Sequence, residues 1–428
     1  MNLAFLTPGT GSYYCGACMR DNALAKSLLA AGHEVSLLPM YLPLQLDETL
    51  LDQRETPIFF GGINVYLQQK LKWFRRSPAW LDELLNSTGL LRAAARRSHM
   101  TSPREHGEMT LAMLDLEHSA FAKETGKLLE WLEQDKPDLV VLSNALLAGF
   151  TRALKERLDC RVITTFQGED SFLDGLPEPY RSKCWEEMRR RLGDSDLLVA
   201  PSHYYAGFIR GRLDAPELDV AVMPNGVTLP SPAPDAPPPD PPVIGYLARM
   251  IREKGVELLV DAFIHLRLNL RHPDARLHIA GSMTAGDELL VRELRQRLEG
   301  AGLTDHVSWS PNLDHDRKEH FLSRLTIFSV PATYHEAFGL YTIEALAAGV
   351  PLVMPRSSSF PEILESSGAG VLAEPNDPSA LAAAWHQLLA DPERLATMRE
   401  NALRSARESY SVDAMRDRFL ALAEPLLA

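Results

Sequence analysis

A repeated alternation of short apolar runs and longer amphipathic stretches is the feature that most constrains the fold of this chain. The short runs are rich in β-branched and aliphatic residues, and the stretches between them carry apolar residues at helical spacing. This alternation is typical of parallel strands joined by crossover helices. It occurs in two series separated by a break, so the sequence predicts an α/β protein with two doubly wound units in tandem.

The two series define the predicted secondary structure. Strands of the first series are predicted at residues 3–6, 34–38, 138–142, 162–165, 197–200 and 220–223. Strands of the second series are predicted at residues 243–246, 277–279, 307–309, 327–330, 352–354 and 370–372. The main helices are predicted at residues 19–31, 110–134 and 178–192. A last amphipathic stretch at 412–427 has no strand after it, and such a helix can pack back across the first unit.

A proline-rich segment separates the two series. The sequence PNGVTLPSPAPDAPPPDPPV contains too many prolines for a helix or a central strand and favours an extended spacer. We therefore predict a first domain at 1–230, a linker at 231–242 and a second domain at 243–407, with residues 408–428 crossing back to the first domain. A length of 428 residues agrees with two domains, because one hydrophobic core rarely serves so long a chain.

Composition excludes several classes of protein. The net charge of −13 repels nucleic acid, and a content of 45% apolar and 24% charged residues is ordinary for a globular enzyme. The N-terminal sequence MNLAFLTPGTG has no cationic leader, and no apolar run is long enough to span a membrane. Four cysteines in a chain of this length do not form a disulfide framework. We therefore expect a cytoplasmic protein that binds no nucleic acid.

Residues 70–104 form a basic, aromatic segment in an otherwise acidic chain. The segment contains Lys72, Arg75, Arg76, Arg92, Arg96 and Arg97, interleaved with Trp73, Phe74 and Trp80. One interpretation is a patch for an anionic acceptor or a peripheral contact with the inner face of an acidic membrane. The other is a solvated pair of helices, because runs of charge are usually surface faces.

The most informative motif is HEAFGLYTIEALAAGVP, which follows the predicted strand TIFSVP. Phe338, Gly339 and Leu340 would form the loop at the carboxyl end of that strand, where α/β sheets bind ligands. The next helix would point its N-terminal amides at a phosphate. Glu336 in the loop and Glu344 in the helix can accept hydrogen bonds from hydroxyls of a sugar or a ribose.

A second motif, IGYLARMIREKGVELLVDAF, places Arg249 and Lys254 between a strand and its helix. Cations near a helix N-terminus oppose the helix dipole and therefore need a reason. Two cations at one strand end suit a diphosphate leaving group, whose negative charge grows as a glycosidic bond breaks.

Together these residues resemble the donor domain of the family 4 glycosyltransferases (glycosyl transferases group 1) of the GT-B fold. The resemblance rests on Arg249, Lys254-Gly255, the strand end IAGS with Gly281, and the E-x7-E pair around FGL, in that order. It implies two Rossmann-like domains facing across a cleft, an acceptor-binding first domain and a donor-binding second domain. It also implies transfer of a hexose from a nucleotide-diphosphate sugar with retention of configuration and without a metal or other cofactor.

The resemblance also implies roles for individual residues. Arg249 and Lys254 would bind the diphosphate, Glu344 would hold the ribose, and Glu336 with the Phe338 and Gly339 amides would contact the transferred sugar. The acceptor would be a sugar, a lipid or a small molecule. The stretch MPRSSSFPEILE lacks the glycines common in this family after the corresponding strand.

The loop after the first predicted strand, TPGTGSYYCGACMRDN, resembles the glycine-rich first loop of the same family. Gly9, Gly11 and Gly16 would let its backbone approach a ligand. A dinucleotide site is a weak alternative, because a G-x-G-x-x-G motif would need glycine at Tyr14. The Cys15-x-x-Cys18 pair could suggest zinc, but no second pair supplies the remaining ligands. Arg20 and Asp21-Asn22, which follow directly, could face the acceptor, or Asp21 could be a first-turn acid favoured by the helix dipole.

A further candidate site is TTFQGEDSFLDG, at the end of the predicted fourth strand. Family members often carry a histidine near an aspartate here, whereas this chain has Gln167, Glu169 and Asp170. Either acid could accept a proton, or both could cap the strand end. The D-x-D spacings at 194–196 and 314–316 are better explained by turns and helix caps than by a metal.

Two other classes of function stay open from the residues alone. A sugar-nucleotide epimerase or a phosphorylase could use the same fold and the same diphosphate site. A non-catalytic nucleotide-sugar-binding protein could also carry both motifs. Interconversion of a donor without acceptor would indicate the epimerase, and binding without transfer would indicate the binding protein.

Overall fold

A computed structural model describes residues 1–9, 16–42, 59–60, 103–230 and 237–428, together with Leu67 and Phe74. Gly11, Cys15 and nearly all of the basic segment 70–104 lie outside the described residues. The chain forms two compact units. The first consists of Met1–Met223 with Met415–Ala428, and the second of Pro224–Ala414.

The first unit is built on a six-stranded parallel sheet with the order β2-β1-β3-β4-β5-β6. Every strand predicted in the first series is present, which confirms the doubly wound α/β architecture. The strands are β1 Asn2–Thr7, β2 Glu34–Pro39, β3 Leu139–Leu142, β4 Arg161–Thr165, β5 Leu197–Ala200 and β6 Ala221–Val222. Strands β1 and β3 are interior strands of this sheet and are buried on both faces, as expected of a parallel sheet covered by helices.

Helices connect the strands of the first unit. They are Gly16–Ala30, Pro103–Leu114, Ala122–Asp135, Thr151–Leu158, Asp170–Asp174, Tyr180–Leu192 and His203–Arg212, with 3-10 turns at Leu116–His118 and Ala145–Phe150. The single helix predicted at 110–134 is wrong, because the chain breaks after Leu114. At the break Asp115 and Glu117 each accept a hydrogen bond of 2.9 Å from the buried Arg191 guanidinium. This tertiary interaction stabilises the break and leaves no trace in local periodicity.

Most of the C-terminal helix Val412–Leu427 belongs to the first unit, from Met415 onward. Its buried side chains are Met415, Phe419 and Ala423. The ring centroid of Phe419 lies 6.0 Å from that of Phe5 on strand β1. At the far end of the helix, Arg161 Nε donates a 3.0 Å hydrogen bond to the carbonyl oxygen of Leu426. This helix therefore covers part of the core of the first sheet.

The second unit contains another six-stranded parallel sheet, with the order β12-β11-β10-β7-β8-β9. All strands of the second predicted series are present. They are β7 Val243–Leu247, β8 Arg276–Gly281, β9 Val307–Pro311, β10 Ile327–Phe328, β11 Leu352–Pro355 and β12 Gly370–Ala373. The helices are Val256–Leu268, Glu288–Gly300, His315–Ser323, Leu340–Ala347, Phe360–Ser367, Pro378–Leu389 and Pro392–Ser409, and short 3-10 turns lie at Arg252–Lys254, Ala285–Asp287 and Thr304–His306.

The second sheet determines where the motif residues lie. Strands β7 and β10 are neighbours, so the segments that follow them emerge side by side at the carboxyl edge of the sheet. Arg249 and Lys254 follow β7, and Glu336 follows β10. No helix among the described residues is long and apolar enough to cross a membrane.

Candidate functional site

The turn that carries Lys254 depends on the glycine after it. Gly255 has a φ of 73° and joins the 3-10 turn Arg252–Lys254 to the helix Val256–Leu268. A Cβ at Gly255 would lie 1.8 Å from the carbonyl oxygen of Pro331, in the segment after β10. The backbone can adopt this conformation and approach only because residue 255 is glycine. Gly255 therefore holds Lys254 close to the segment that leads to Glu336.

We expect Gly255→Ala to unfold the protein or lower its stability by more than about 3 kcal/mol, because the new methyl group would meet backbone atoms. Gly302→Ala is the matched control. Gly302 also has a positive φ, +67°, but a Cβ there would meet nothing within 4 Å. It should therefore cost only the conformational penalty, about 1 kcal/mol. Thermal unfolding of both variants measures the difference, and equal losses would contradict the proposed contact.

Lys254 and Glu336 form the centre of the site. Lys254 Nζ lies 2.6 Å from Glu336 Oε2, and both side chains are largely buried. The hydroxyls of Tyr334 and Tyr341 donate hydrogen bonds of 2.7 Å to the same oxygen. The ammonium of Lys254 also lies 4.7 Å and 5.1 Å from the ring centroids of these two tyrosines. Glu336 Oε1 accepts no hydrogen bond from any residue that the structure describes, so it can meet a ligand.

The charge of Glu336 is maintained against its burial. Burial by itself raises the pKa of this carboxyl, but the Lys254 ammonium and the hydrogen bonds from Lys254, Tyr334 and Tyr341 together hold the pKa below its ordinary value. Burial, reinforced by the charge of Glu336, raises the pKa of the Tyr341 hydroxyl well above its ordinary value. Tyr341 therefore stays a neutral donor at neutral pH.

This electrostatic arrangement predicts how stability depends on pH. Folding lowers the pKa of Glu336, so its ionisation contributes to the free energy of unfolding. This contribution is complete above the ordinary pKa of about 4.5 and is lost as the pH falls through the lower pKa of the folded state. In Lys254→Met, burial still raises the pKa of Glu336, but the ammonium that lowers this pKa is gone. We expect this variant to lose about 3 kcal/mol at pH 7 and to approach the native protein below about pH 4.

Chemical unfolding between pH 3 and pH 8 measures this dependence. The double variant Lys254→Met/Glu336→Gln is the control, since it carries no ionisable carboxyl at this position. The double variant has no carboxyl at position 336 to protonate. The acid-induced recovery of stability that we expect in Lys254→Met should therefore be absent from it. A stability loss in Lys254→Met that stays constant from pH 8 to pH 3 would contradict the assignment of the charge to Glu336.

The segment after β11 supports the loop that carries Glu336. The hydroxyl of Ser358 donates to the carbonyl oxygen of Tyr334 at 3.1 Å and accepts from the amide of Glu336 at 3.2 Å. The hydroxyl of Ser359 donates to the carbonyl oxygen of Phe338 at 3.0 Å. The serines of this segment therefore brace the loop through hydrogen bonds.

Glu344 is the second carboxylate of the motif and has its own lysine. It lies in the helix Leu340–Ala347, and its Oε1 accepts a 2.8 Å hydrogen bond from Lys318 Nζ. The two side chains are only 15% and 14% exposed. Among the described residues nothing donates to Glu344 Oε2. Glu336 and Glu344 are thus each held by a lysine through one oxygen and leave the other oxygen open.

Arg249 lies apart from this pairing. Its side chain is 51% exposed, and Nη2 lies 3.4 Å from Asp287 Oδ1. Burial raises the pKa of Asp287, but hydrogen bonds from Thr284 and the charge of Arg249 outweigh it and leave the pKa lowered. An ionised Asp287 therefore tethers Arg249 while most of the guanidinium stays accessible.

The remaining donor-side residues surround these charged groups. Gly281 ends β8 at a φ of 130°, with its α-carbon close to the carbonyl of Ala248 on the neighbouring strand segment. Gly339 is the N-cap of the helix Leu340–Ala347, with a φ of 80°. Phe338 is buried, and Leu340 is the first residue of that helix. The helix begins with backbone amides at the carboxyl edge of the sheet, which is a position suited to an anion.

In the first unit the structure describes part of the predicted acceptor-side residues. Gly9 follows β1 with a φ of 70°, and Gly16 is the exposed first residue of the helix Gly16–Ala30. Arg20 and Asp21 do not face solvent. They form a buried ion pair of 2.8 Å, and Arg20 donates to the hydroxyl of Thr165 at 3.0 Å. Their side chains therefore join strand ends within the first unit.

Glu169 and Asp170 are also engaged in local structure. Glu169 accepts hydrogen bonds from the backbone amides of Ala145, at 2.9 Å, and Gln167, at 3.0 Å, and burial raises its pKa. Asp170 accepts a 2.7 Å hydrogen bond from the hydroxyl of Tyr205. Gln167 is partly buried beside them. These contacts favour the strand-end caps over a free general base.

The acidic pairs and cysteines show local roles where the structure describes them. Asp314 caps the helix His315–Ser323 by accepting from the amide of Arg317 at 2.9 Å. Cys18 is buried and accepts a hydrogen bond from Thr7 at 3.5 Å. Within the described part of the chain, three groups are close enough to share a metal ion: Asp115, Glu117 and His118. The two carboxylates of this trio already bind Arg191.

Of the residues that hold the two glutamates, only Lys254 was predicted from the sequence. Tyr334 stands directly before the motif and Tyr341 within it, and their nearness to Glu336 could have suggested hydrogen-bond donors. Lys318 gave no usable signal, because it lies 26 positions before its partner in a different helix. Ser358 and Ser359 appeared only as departures from a glycine pattern.

Comparison with known families covers most of the chain. Residues 231–405 match the family model described as glycosyl transferases group 1. Residues 106–231 match the model described as glycosyltransferase family 4. The two matches meet at residue 231 and together include Arg249, Lys254, Glu336 and Glu344.

Two relatives and one solved structure illustrate the similarity. The chain is 30% identical over 248 residues to a D-inositol 3-phosphate glycosyltransferase of Xylanimonas cellulosilytica, covering 54% of this chain and 57% of that one. It is 29% identical over 273 residues to a GDP-mannose-dependent alpha-(1-6)-phosphatidylinositol monomannoside mannosyltransferase of Mycolicibacterium smegmatis, covering 59% and 66%. Each match spans less than two thirds of the relative's own length. A sucrose-phosphate synthase structure from Thermosynechococcus elongatus superposes with a TM-score of 0.72 at 18% identity, covering 100% and 99%, which shows a shared fold.

Proposed function

Because the chain belongs to the group 1 glycosyltransferases of the GT-B fold, we propose that it transfers a hexosyl group from a nucleoside-diphosphate sugar to an acceptor hydroxyl. One observation carries this proposal. At one edge of the second sheet, two anchored carboxylates each present an open oxygen, and the cations Arg249 and Lys254 follow the neighbouring strand. Open carboxylate oxygens suit sugar and ribose hydroxyls, and the cations suit a diphosphate.

The relatives support the choice of substrates. One is named for GDP-mannose, which is a nucleoside-diphosphate sugar. Another is named for D-inositol 3-phosphate, which is an anionic molecule with several hydroxyls. We propose a nucleotide sugar as donor and a sugar, a lipid or a small polyol as acceptor. The basic segment 70–104 is proposed to contribute to an anionic acceptor or to contact with a membrane surface.

The proposed reaction follows from the charges. The bond between the anomeric carbon and the diphosphate oxygen breaks, and Arg249 and Lys254 stabilise the charge that develops on the leaving group. Glu336 Oε1 accepts a hydrogen bond from a hydroxyl of the sugar. The acceptor oxygen attacks the anomeric carbon from the face of the departing diphosphate, and its proton passes to a leaving phosphate oxygen. This route retains the anomeric configuration and needs no divalent metal.

The test begins with donor binding. The melting temperature of the full chain is measured with UDP, GDP and ADP, because a ligand that binds the folded state raises it. The sugar conjugates of the nucleotide that binds are then incubated with candidate polyol acceptors in the presence of EDTA. We expect a glycoside whose anomeric configuration, read by NMR, equals that of the donor.

Other outcomes of the same test would overturn the proposal. Interconversion of the donor sugar without acceptor would indicate an epimerase. Release of a sugar phosphate that depends on inorganic phosphate would indicate a phosphorylase. Nucleotide binding without turnover on any acceptor would favour a binding protein. Loss of turnover in EDTA, restored by Mg²⁺ or Mn²⁺, would contradict only the metal independence of the reaction and would leave the proposed transfer standing.

A further inference from the structure

We propose that Lys318 makes the ribose site of this protein asymmetric, so that Glu344 binds one of the two ribose hydroxyls more strongly than the other. This inference rests on the proposed function, because it assumes that Glu344 meets the ribose of a nucleotide. Lys318 would be a positioning residue, since it acts through Glu344.

The geometry of the Lys318–Glu344 pair limits how Glu344 can meet a ribose. A free carboxylate can accept from two vicinal hydroxyls at once, one on each oxygen. In this protein Glu344 Oε1 already accepts from Lys318 Nζ at 2.8 Å. Only Oε2 is without a donor among the described residues. The ribose therefore meets one oxygen with its full acceptor capacity and one that Lys318 already occupies in part.

The Lys318–Glu344 pair is held rigidly. Lys318 and Glu344 lie in different helices, His315–Ser323 and Leu340–Ala347, which follow β9 and β10. Asp314 caps the first of these helices, and this fixes the turn that leads into Lys318. At 14% and 15% exposure the two charges are poorly screened by water, so the contact does not exchange freely with solvent.

The two glutamates of the motif are held in the same way. Lys254 binds Glu336 through Oε2, and Lys318 binds Glu344 through Oε1. Desolvation offsets most of the attraction in a buried ion pair, so such pairs contribute little net stability. A fixed orientation of each carboxylate is what the two lysines share. We infer that both orient an open oxygen toward the ligand.

The proposal predicts how deoxynucleotides bind. The probe is the nucleoside diphosphate among UDP, GDP and ADP that binds the full-length protein most tightly, with its 2′-deoxy and 3′-deoxy analogues. Calorimetry should show that one analogue loses about 10-fold or more in affinity and the other about 3-fold or less. In Lys318→Met the two losses should become equal within about 2-fold, because the two carboxylate oxygens are then equivalent acceptors.

Three further variants separate this role from a structural one. Lys318→Arg keeps a cation beside Glu344 and should keep the asymmetry. Arg317→Met changes the neighbouring, 76% exposed cation of the same helix and should leave all three affinities unchanged. Glu344→Gln should remove the asymmetry while Lys318 is retained, which tests the proposal even if Lys318→Met folds poorly.

The outcomes distinguish this inference from the proposed function. If a nucleoside diphosphate binds but the native protein loses equal affinity for the two analogues, the inference is wrong and the proposed function stands. Asymmetry that persists in Lys318→Met also overturns the inference. If none of the three nucleoside diphosphates binds, the proposed function and the inference fail together.

Discussion

Arg249→Ala is expected to lower kcat at least ~100-fold, as is typical when a main stabiliser of developing charge is removed. Arg249 is half-exposed, and its one described ion pair, to Asp287, is long at 3.4 Å. Its removal should therefore change the melting temperature little. Steady-state kinetics with the nucleotide sugar, beside thermal unfolding of the same sample, separates lost catalysis from lost folding.

Arg252→Ala is the matched control for this prediction. Arg252 lies in the adjacent 3-10 turn, is 60% exposed and pairs with Glu257 and Glu293 on neighbouring helices. Removing it changes the net charge by the same amount at nearly the same place. It should leave kcat within about 3-fold of the native value. Equal losses in the two variants would point to the overall field of the protein instead of a specific contact by Arg249.

Lys254→Met is expected to cause the other large loss, again about 100-fold in kcat. The ammonium of Lys254 is proposed to have two partners in turn: Glu336 in the free protein and the diphosphate of the donor. Its removal should also weaken binding of a nucleoside diphosphate by about 10-fold, because a charge-assisted contact is lost. Calorimetry with the diphosphate and kinetics with the sugar conjugate measure the two effects separately.

Glu336→Gln provides the contrast for Lys254. This substitution removes the carboxylate that contacts the sugar in our proposal and leaves the ammonium in place. Binding of a nucleoside diphosphate, which carries no sugar, should be unchanged or tighter, whereas transfer should fall by about 100-fold. If Glu336→Gln weakened diphosphate binding as much as Lys254→Met, the two residues would act only as a structural pair.

Much of the fold could be predicted because each element has its own local signal. Strands buried in a parallel sheet are continuous apolar runs, and all those predicted in both series are present. The helix at 412–427 has the predicted bounds because its apolar spacing ends with the helix. The helix predicted across 110–134 failed because the buried Arg191 binds the acids at the break. A contact made from another helix is invisible to local periodicity.

The candidate site, like the fold, could be predicted only in part from the sequence. Residues that are consecutive in a motif could be predicted to lie together, and Lys254 with Glu336 shows that two motifs at neighbouring strand ends also meet. Lys318 could not be predicted, since its role depends on the packing of two helices that follow different strands. Arg20 and Asp21 appeared suited to a ligand because they directly follow the glycine-rich loop. The structure pairs them in the interior, where each neutralises the other.

The placement of the helix Val412–Leu427 has a consequence for biosynthesis. The second unit ends at Ala414, so all of its residues have been translated before the first unit is complete. On the ribosome, Phe5 of β1 lacks its packing partner until Phe419 has been translated. The half of the protein that is translated first is therefore the half whose folding finishes last. Nascent chains stalled before residue 412 would expose an apolar strip on the first sheet, to which chaperones that recognise unfolded segments could bind.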